Sequence, residues 1–73
     1  STNVIFQVHK FNDIYYFGTN NGLYSYEEGD EKVIFMEGTT GQSRTFFEYN
    51  GRLFAGTAGM GLIEIMGKEW KYV

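Results

Sequence analysis

The chain contains no cysteine, no proline and a single histidine. Without cysteine there is no disulfide framework, no thiolate zinc site and no cysteine nucleophile; cytosol and periplasm both stay open. Without proline, no proline-rich linker marks a domain boundary. The lone His9 leaves any metal site dependent on carboxylates. Asp13 and Glu48 are the nearest by strand position, but no ligand spacing supports them. Basic residues are few and scattered. Lys10, Lys32, Arg44, Arg52, Lys68 and Lys71 form no stripe to neutralise phosphates, and the net charge is −3, so nucleic-acid binding is not expected. No apolar run approaches the roughly 18 to 20 residues that span a bilayer, so this segment is not expected to contact a membrane. Ser1-Thr2-Asn3 lacks the basic start and apolar stretch of a signal peptide.

What is present is largely apolar. Aromatics make up 19% of the chain and hydrophobic residues 42%, too much for a disordered segment. With 73 residues there is room for one small domain, and a chain this short hides only a modest share of its surface, so its own core leaves it marginally stable. The composition therefore points to association, with other copies or with a further part of a longer chain.

The strongest signal is an internal repeat. At an offset of 38 residues Asn12 falls on Asn50, Gly18 on Gly56, Thr19 on Thr57, Gly29 on Gly67 and Glu31 on Glu69, while Phe11/Tyr49 and Tyr16/Phe54 match in kind. Gly22-Leu23 aligns with Gly61-Leu62 at offset 39, which implies one extra residue in the second unit's central loop. Each unit reads as four short strands rich in Val, Ile, Phe, Tyr and Thr, at 4–11, 14–19, 23–27 and 32–36, then at 44–49, 52–57, 62–65 and 70–73. Asn12-Asp13 and Asn50-Gly51 are two-residue hairpin turns, the second the stronger because a type I′ turn needs positive φ at both positions. No sustained helical period appears.

Strict alternation fails in Val4-Ile5-Phe6, Ile14-Tyr15-Tyr16-Phe17 and Val33-Ile34-Phe35-Met36. Such runs suit a sheet covered on both faces, as in radially stacked blades. The expected fold is all-β: two tandem four-stranded antiparallel β-propeller blades, residues 1–37 and 38–73, forming part of a larger or oligomerically closed propeller.

The stretches Tyr16-Phe17-Gly18-Thr19-Asn20-Asn21-Gly22-Leu23 and Phe54-Ala55-Gly56-Thr57-Ala58-Gly59-Met60-Gly61-Leu62 resemble the repeat of the two-component-regulator propellers, an aromatic-x-Gly-Thr-x-x-Gly-Leu core. That family usually has Trp where this chain has Tyr16 and Phe54. The resemblance implies a sensor-type module, periplasmic or extracellular, as in the sensing regions of bacterial hybrid histidine kinases. It also implies glycan sensing, while the amides, hydroxyls and Arg44 of the loops suit a polar ligand or a peptide.

Each chemical motif has a structural alternative. Gly18-Thr19-x-x-Gly22 and Gly56-Thr57-x-x-x-Gly61 lead into strands with no following lysine, so they read as tight turns and not as phosphate cradles. Ser25 and Ser43 lie in no nucleophile elbow, so no Ser-His-Asp triad is expected. Glu27, Glu28, Asp30 and Glu31 form an acidic hairpin tip, expected to be solvated. The aromatic residues are expected to pack blade on blade. Binding residues are sought instead on loops, at Asn20, Asn21, Gln42, Arg44 and Met60, with Trp70 as an added aromatic. The chain is expected to be no enzyme and to need no cofactor. Its ring is expected to be completed by homo-oligomerisation or by further blades of a parent chain. The alternative reading is a lectin-like propeller with a glycan between blades.

Overall fold

The computed structural model describes residues 3–73; the reading of Ser1 and Thr2 as lacking a signal peptide lies outside the described residues. Eight strands follow one another along the chain: β1 (Ile5–Phe11), β2 (Ile14–Thr19), β3 (Gly22–Glu27), β4 (Ile34–Phe35), β5 (Ser43–Tyr49), β6 (Arg52–Thr57), β7 (Gly61–Met66) and β8 (Glu69–Tyr72). They form two four-stranded antiparallel sheets, each with its strands in sequence order. Among the described residues there is no helix, and so none long and apolar enough to cross a membrane.

Turn chemistry explains the meander. Asn12 and Asp13 have φ of 50° and 67°, and Asn50 and Gly51 have φ of 53° and 71°. These are the paired left-handed values that a two-residue hairpin needs to match strand twist. The loop from β2 to β3 has two residues and that from β6 to β7 has three, which is where the repeat offset changes.

One strand is shorter than its sequence predicts. Only Ile34–Phe35 pairs with β3, not the whole of 32–36. The Asp30 carboxylate accepts the Glu27 amide at 2.9 Å, and the Asp30 amide donates to the Glu27 carbonyl at 2.9 Å. The chain is thereby closed into a tight turn where a longer hairpin ladder would begin. At the other end Met36 leaves the strand and buries its side chain, with 1% exposed.

The core lies between the sheets. Ile14, Tyr16, Leu23 and Met36 from the first sheet meet Phe46, Leu53, Ala55, Ile63 and Ile65 from the second. The sheets approach most closely along β1, β2 and β5, and toward β4 and β8 they are bridged by the Met36 and Trp70 side chains, so they form a wedge. At its narrow end a Cβ on Gly18 would lie 2.4 Å from the Ser43 carbonyl oxygen, which is why only glycine fits there.

Alternation along the strands gives each sheet a second face. Ile5, Val8, Tyr15 and Phe35 are exposed on the first sheet, and Phe47, Leu62 and Met66 on the second. Burial on both faces, expected from the apolar runs, is thus found mainly on one face of each sheet; on the outer face of the second, only Phe54 and Glu64 are buried, beside Phe47 and Arg52. The sheets are not stacked like to like. Tyr16, on the inner face of the first, corresponds by repeat to Phe54 on the outer face of the second; Phe46, on the inner face of the second, corresponds to Val8 on the outer face of the first. The stacking is head to tail.

Candidate functional site

Three connections meet at one end of the wedge: the β2–β3 loop, the β6–β7 loop and the linker between the sheets. Each loop is built by its Gly-Thr pair. Thr19 Oγ1 accepts the Asn21 amide at 3.0 Å and donates to the Gly22 carbonyl at 2.8 Å. Thr57 repeats this with the Met60 amide at 3.0 Å and the Gly61 carbonyl at 2.8 Å. Gly22 and Gly61 have φ of 91° and 73°, the left-handed conformation the turn requires. These loops are tight turns, and their hydroxyls are already engaged.

The linker is stapled to both. Thr39, buried, donates from Oγ1 to the Met36 carbonyl at 2.7 Å and accepts the Leu23 amide at 3.0 Å. The Gly22 amide donates to Gly41 at 2.7 Å and the Ala58 amide to Gln42 at 2.8 Å. Met60 Sδ accepts the Thr40 amide at 3.1 Å.

Asn20, Asn21, Gln42, Arg44 and Met60 therefore share one rim. Asn20 Oδ1 accepts the Val4 amide at 2.7 Å, so its side chain holds the start of β1 against the loop. Asn21 Nδ2 donates to Asn3 Oδ1, and Asn3 Nδ2 to the Tyr24 hydroxyl, both at 3.0 Å. Arg44 Nε donates to Gln42 Oε1 at 3.2 Å, and its guanidinium lies 3.7 Å over the Phe6 ring. Trp70 is not on this rim. Its ring packs on Gly38, and its Nε1 donates to the Glu37 carbonyl at 2.7 Å, as part of the joint between the sheets.

Two rim residues escaped the sequence reading, Asn3 and Phe6. Phe6 carries a signal: it stands one period of 38 residues before Arg44. Phe6 and Arg44 fall at register shifts, between Ile5 and Gln7 in β1 and between Ser43 and Thr45 in β5. A bulge turns one side chain out of the sheet's alternation, and here it does so at the same place in both units.

The remaining candidates serve the joint. His9 Nε2 lies 2.7 Å from Glu48 Oε2, with its ring 5.7 Å from that of Phe46; Asp13 is not its partner. Ser25 is buried on the inner face, and Ser43 Oγ donates to the Gly56 carbonyl at 3.2 Å. Among the described residues no group of three or more His, Asp or Glu side chains could hold a metal ion. The acidic tip is more than a solvated hairpin. Lys68 reaches Asp30 at 3.0 Å and Glu27 at 3.7 Å. The Glu27 amide and Lys68 hold the Asp30 carboxyl below its ordinary pKa.

At the opposite end a cleft of about 250 Å³ opens between the sheets, lined by Phe11, Asn12, Tyr16, Gly51, Arg52 and Gly67 among others. The Tyr16 hydroxyl donates to the Gly67 carbonyl. Burial, with Glu27 adding to it, pushes the Tyr16 pKa up to about 12. On the outer face of the second sheet Arg52 grips Glu64 through two bonds, at 2.8 and 2.7 Å, and this holds the Glu64 carboxyl below its ordinary pKa.

Comparison with known proteins finds no family model, no curated protein and no solved structure that matches the chain.

Proposed function

We propose that the chain is a non-catalytic β-propeller module for ligand or protein binding, each of its sheets being one blade. One observation carries the reading: the two sheets form a wedge and stack head to tail, so that the repeat-equivalent faces are covered by a sheet in the first and by none in the second. A sandwich of two like faces would have no free equivalent of its own seam. A radial array has one at each end. The bulged first strands lie at the narrow end, where a propeller has its central channel.

Within that class, the two-component-regulator type of sensor propeller fits best. Its Gly-Thr turn is the device that builds both loops here, and it makes a periplasmic or extracellular sensing role the working assignment. The ligand is a glycan or peptide held on the rim, where Asn21, Gln42 and Thr40 offer amides and a hydroxyl above a fixed backbone. A glycan between blades is the second reading, favoured by the aromatic and polar cleft beside Tyr16 and Arg52.

Screening the chain against glycan and peptide arrays tests both. Rim binding predicts hits weakened about tenfold or more by Asn21→Ala or Gln42→Ala. Cleft binding predicts loss on Asn12→Ala with the rim variants unaffected. Arrays without a hit overturn the assignment of ligand class.

A further inference from the structure

The free face of the second sheet is the repeat counterpart of a face whose occupant is visible. In the chain, the inner face of the first sheet, bearing His9, Ile14, Tyr16 and Gly18, is covered by the face bearing Phe46, Leu53 and Ile65. The second sheet carries the same face again as Phe47, Arg52, Phe54 and Gly56, with no second sheet over it; Phe47 stacks on Phe54, which is 8% exposed. The first sheet carries the covering face again as Val8, Tyr15 and Tyr26, also with no sheet over it. Val8 is 51% exposed, Tyr15 41% and Phe47 42%.

At two places where the copies of the seam differ in sequence, both sides differ together. His9 against Glu48 within the chain becomes Phe47 against Lys10, an ion-pairing couple replaced by an aromatic and a cation with an apolar stem. Ile14, clustered with Leu53 and Ile65, and Ser25, on the same inner face, become Arg52 and Glu64, with Tyr15 and Tyr26 as the counterparts of Leu53 and Ile65. A charged pair is thus met by two phenols that can bond to it.

Two further details point to the same occupant. Gly18 must be glycine because the Ser43 carbonyl approaches it, yet a Cβ on Gly56 would meet only Thr45 Cβ, at 3.8 Å. Its φ is not positive either, so nothing in the chain requires glycine there. Stacked as Gly18 is, Gly56 would receive the backbone carbonyl of Ile5, the counterpart of Ser43. At the narrow end, Arg44 covers Phe6, and each is the other's repeat equivalent. One more turn of the same stacking lays a second Phe6 on the free side of Arg44.

We infer that a second copy of this chain docks its Val8–Tyr15–Tyr26 face onto the Phe47–Phe54–Gly56 face of the first, repeating the internal seam, and that copies so joined close a ring lined by alternating Phe6 and Arg44. The inference rests on the propeller reading. Heterologous contacts of this kind close when the rotation divides a circle. Two, three or four copies supply the roughly four to eight blades of known propellers.

Light scattering after size exclusion gives the mass, and the Gly56→Ala variant gives the test particular to this seam. The parent is expected to run as a closed assembly of two to four copies (about four to eight blades). Gly56→Ala is expected to keep the parent's β-sheet circular dichroism yet run as a single chain at concentrations where the parent is assembled. As the chain lacks cysteine, Val8→Cys and Phe47→Cys variants can be cross-linked cleanly with a short bis-maleimide. A mixture of the two should cross-link and neither should do so alone. A folded parent that is monomeric at all concentrations overturns the inference while leaving the blade fold and the rim ligand standing. Cross-linking of Val8→Cys to itself, an open filament, or a Gly56→Ala variant that assembles within twofold of the parent's affinity overturns it as well. An empty ligand screen does not touch it.

Discussion

Gly18→Ala probes the closest approach in the molecule. The added Cβ would lie 2.4 Å from the Ser43 carbonyl oxygen and 3.4 Å from the Phe46 ring. Non-bonded atoms pack at about 3.5 Å, so β2 and β5 would have to part by about 1 Å. Neither strand can yield alone, because β2 is paired on both sides and β5 is fixed to β6. Overpacking of this kind costs about 1–3 kcal/mol. Removing a glycine from the unfolded chain offsets about 0.4–1 kcal/mol. The net loss is therefore about 1–2 kcal/mol, which for a chain this short lowers Tm by roughly 5–15 °C. Thermal unfolding followed by circular dichroism, with parent and variant at several matched concentrations, measures it. Gly59→Ala is the control, since its Cβ would meet only Thr40 Oγ1, at 3.9 Å, and it should unfold at the parent's temperature or slightly above it. A Gly18→Ala protein as stable as the parent would falsify the packing of β2 on β5.

Tyr16→Phe should cost about 1 kcal/mol at neutral pH through the lost bond to Gly67, measured by urea unfolding. It should also remove a decline in alkali. With the folded pKa raised to about 12 from 10, the parent's stability is complete below pH 10 and falls as pH rises toward 12. Glu64 is held below its ordinary value by Arg52, so its contribution is present above the unfolded pKa and disappears as pH falls through the folded one. Acid titration of Glu64→Gln should show a flatter limb than the parent; an unchanged limb refutes the role of the pair. Leu53→Ala, at a fully buried site, should lose about 2–5 kcal/mol and leave little folded protein by circular dichroism. Lys68→Ala, on a surface bridge to Asp30, should leave the urea midpoint almost unchanged, because exposed ion pairs are screened by solvent.

Local chemistry was the legible part. The hairpins at Asn12-Asp13 and Asn50-Gly51, the Gly-Thr loops and the one-residue insertion before Gly61 all sit where residue preference for positive φ or a self-bonding hydroxyl decides the backbone within a few positions. The all-β meander follows from them. Of the rim, Asn20, Asn21, Gln42, Arg44 and Met60 were found because loops between strands of one direction must emerge together. Trp70 lies apart from that rim, against Glu37 and Gly38; a Trp in an edge strand looks the same in sequence whether its ring meets solvent or a neighbouring backbone.

By itself the sequence determined the period, the eight strands and the turns that order them, because those depend on interactions a few residues long. The tertiary structure decided which apolar face of each sheet the chain covers. Alternation marks both faces of β2 as apolar, and only the head-to-tail placement of the second sheet makes Tyr16 core and Tyr15 surface. It likewise decided that Arg44 lies on Phe6 and that Gly18 is pinned while Gly56 is not. Such pairings join residues a whole repeat apart. They depend on the position of one sheet over the other, which no local preference encodes.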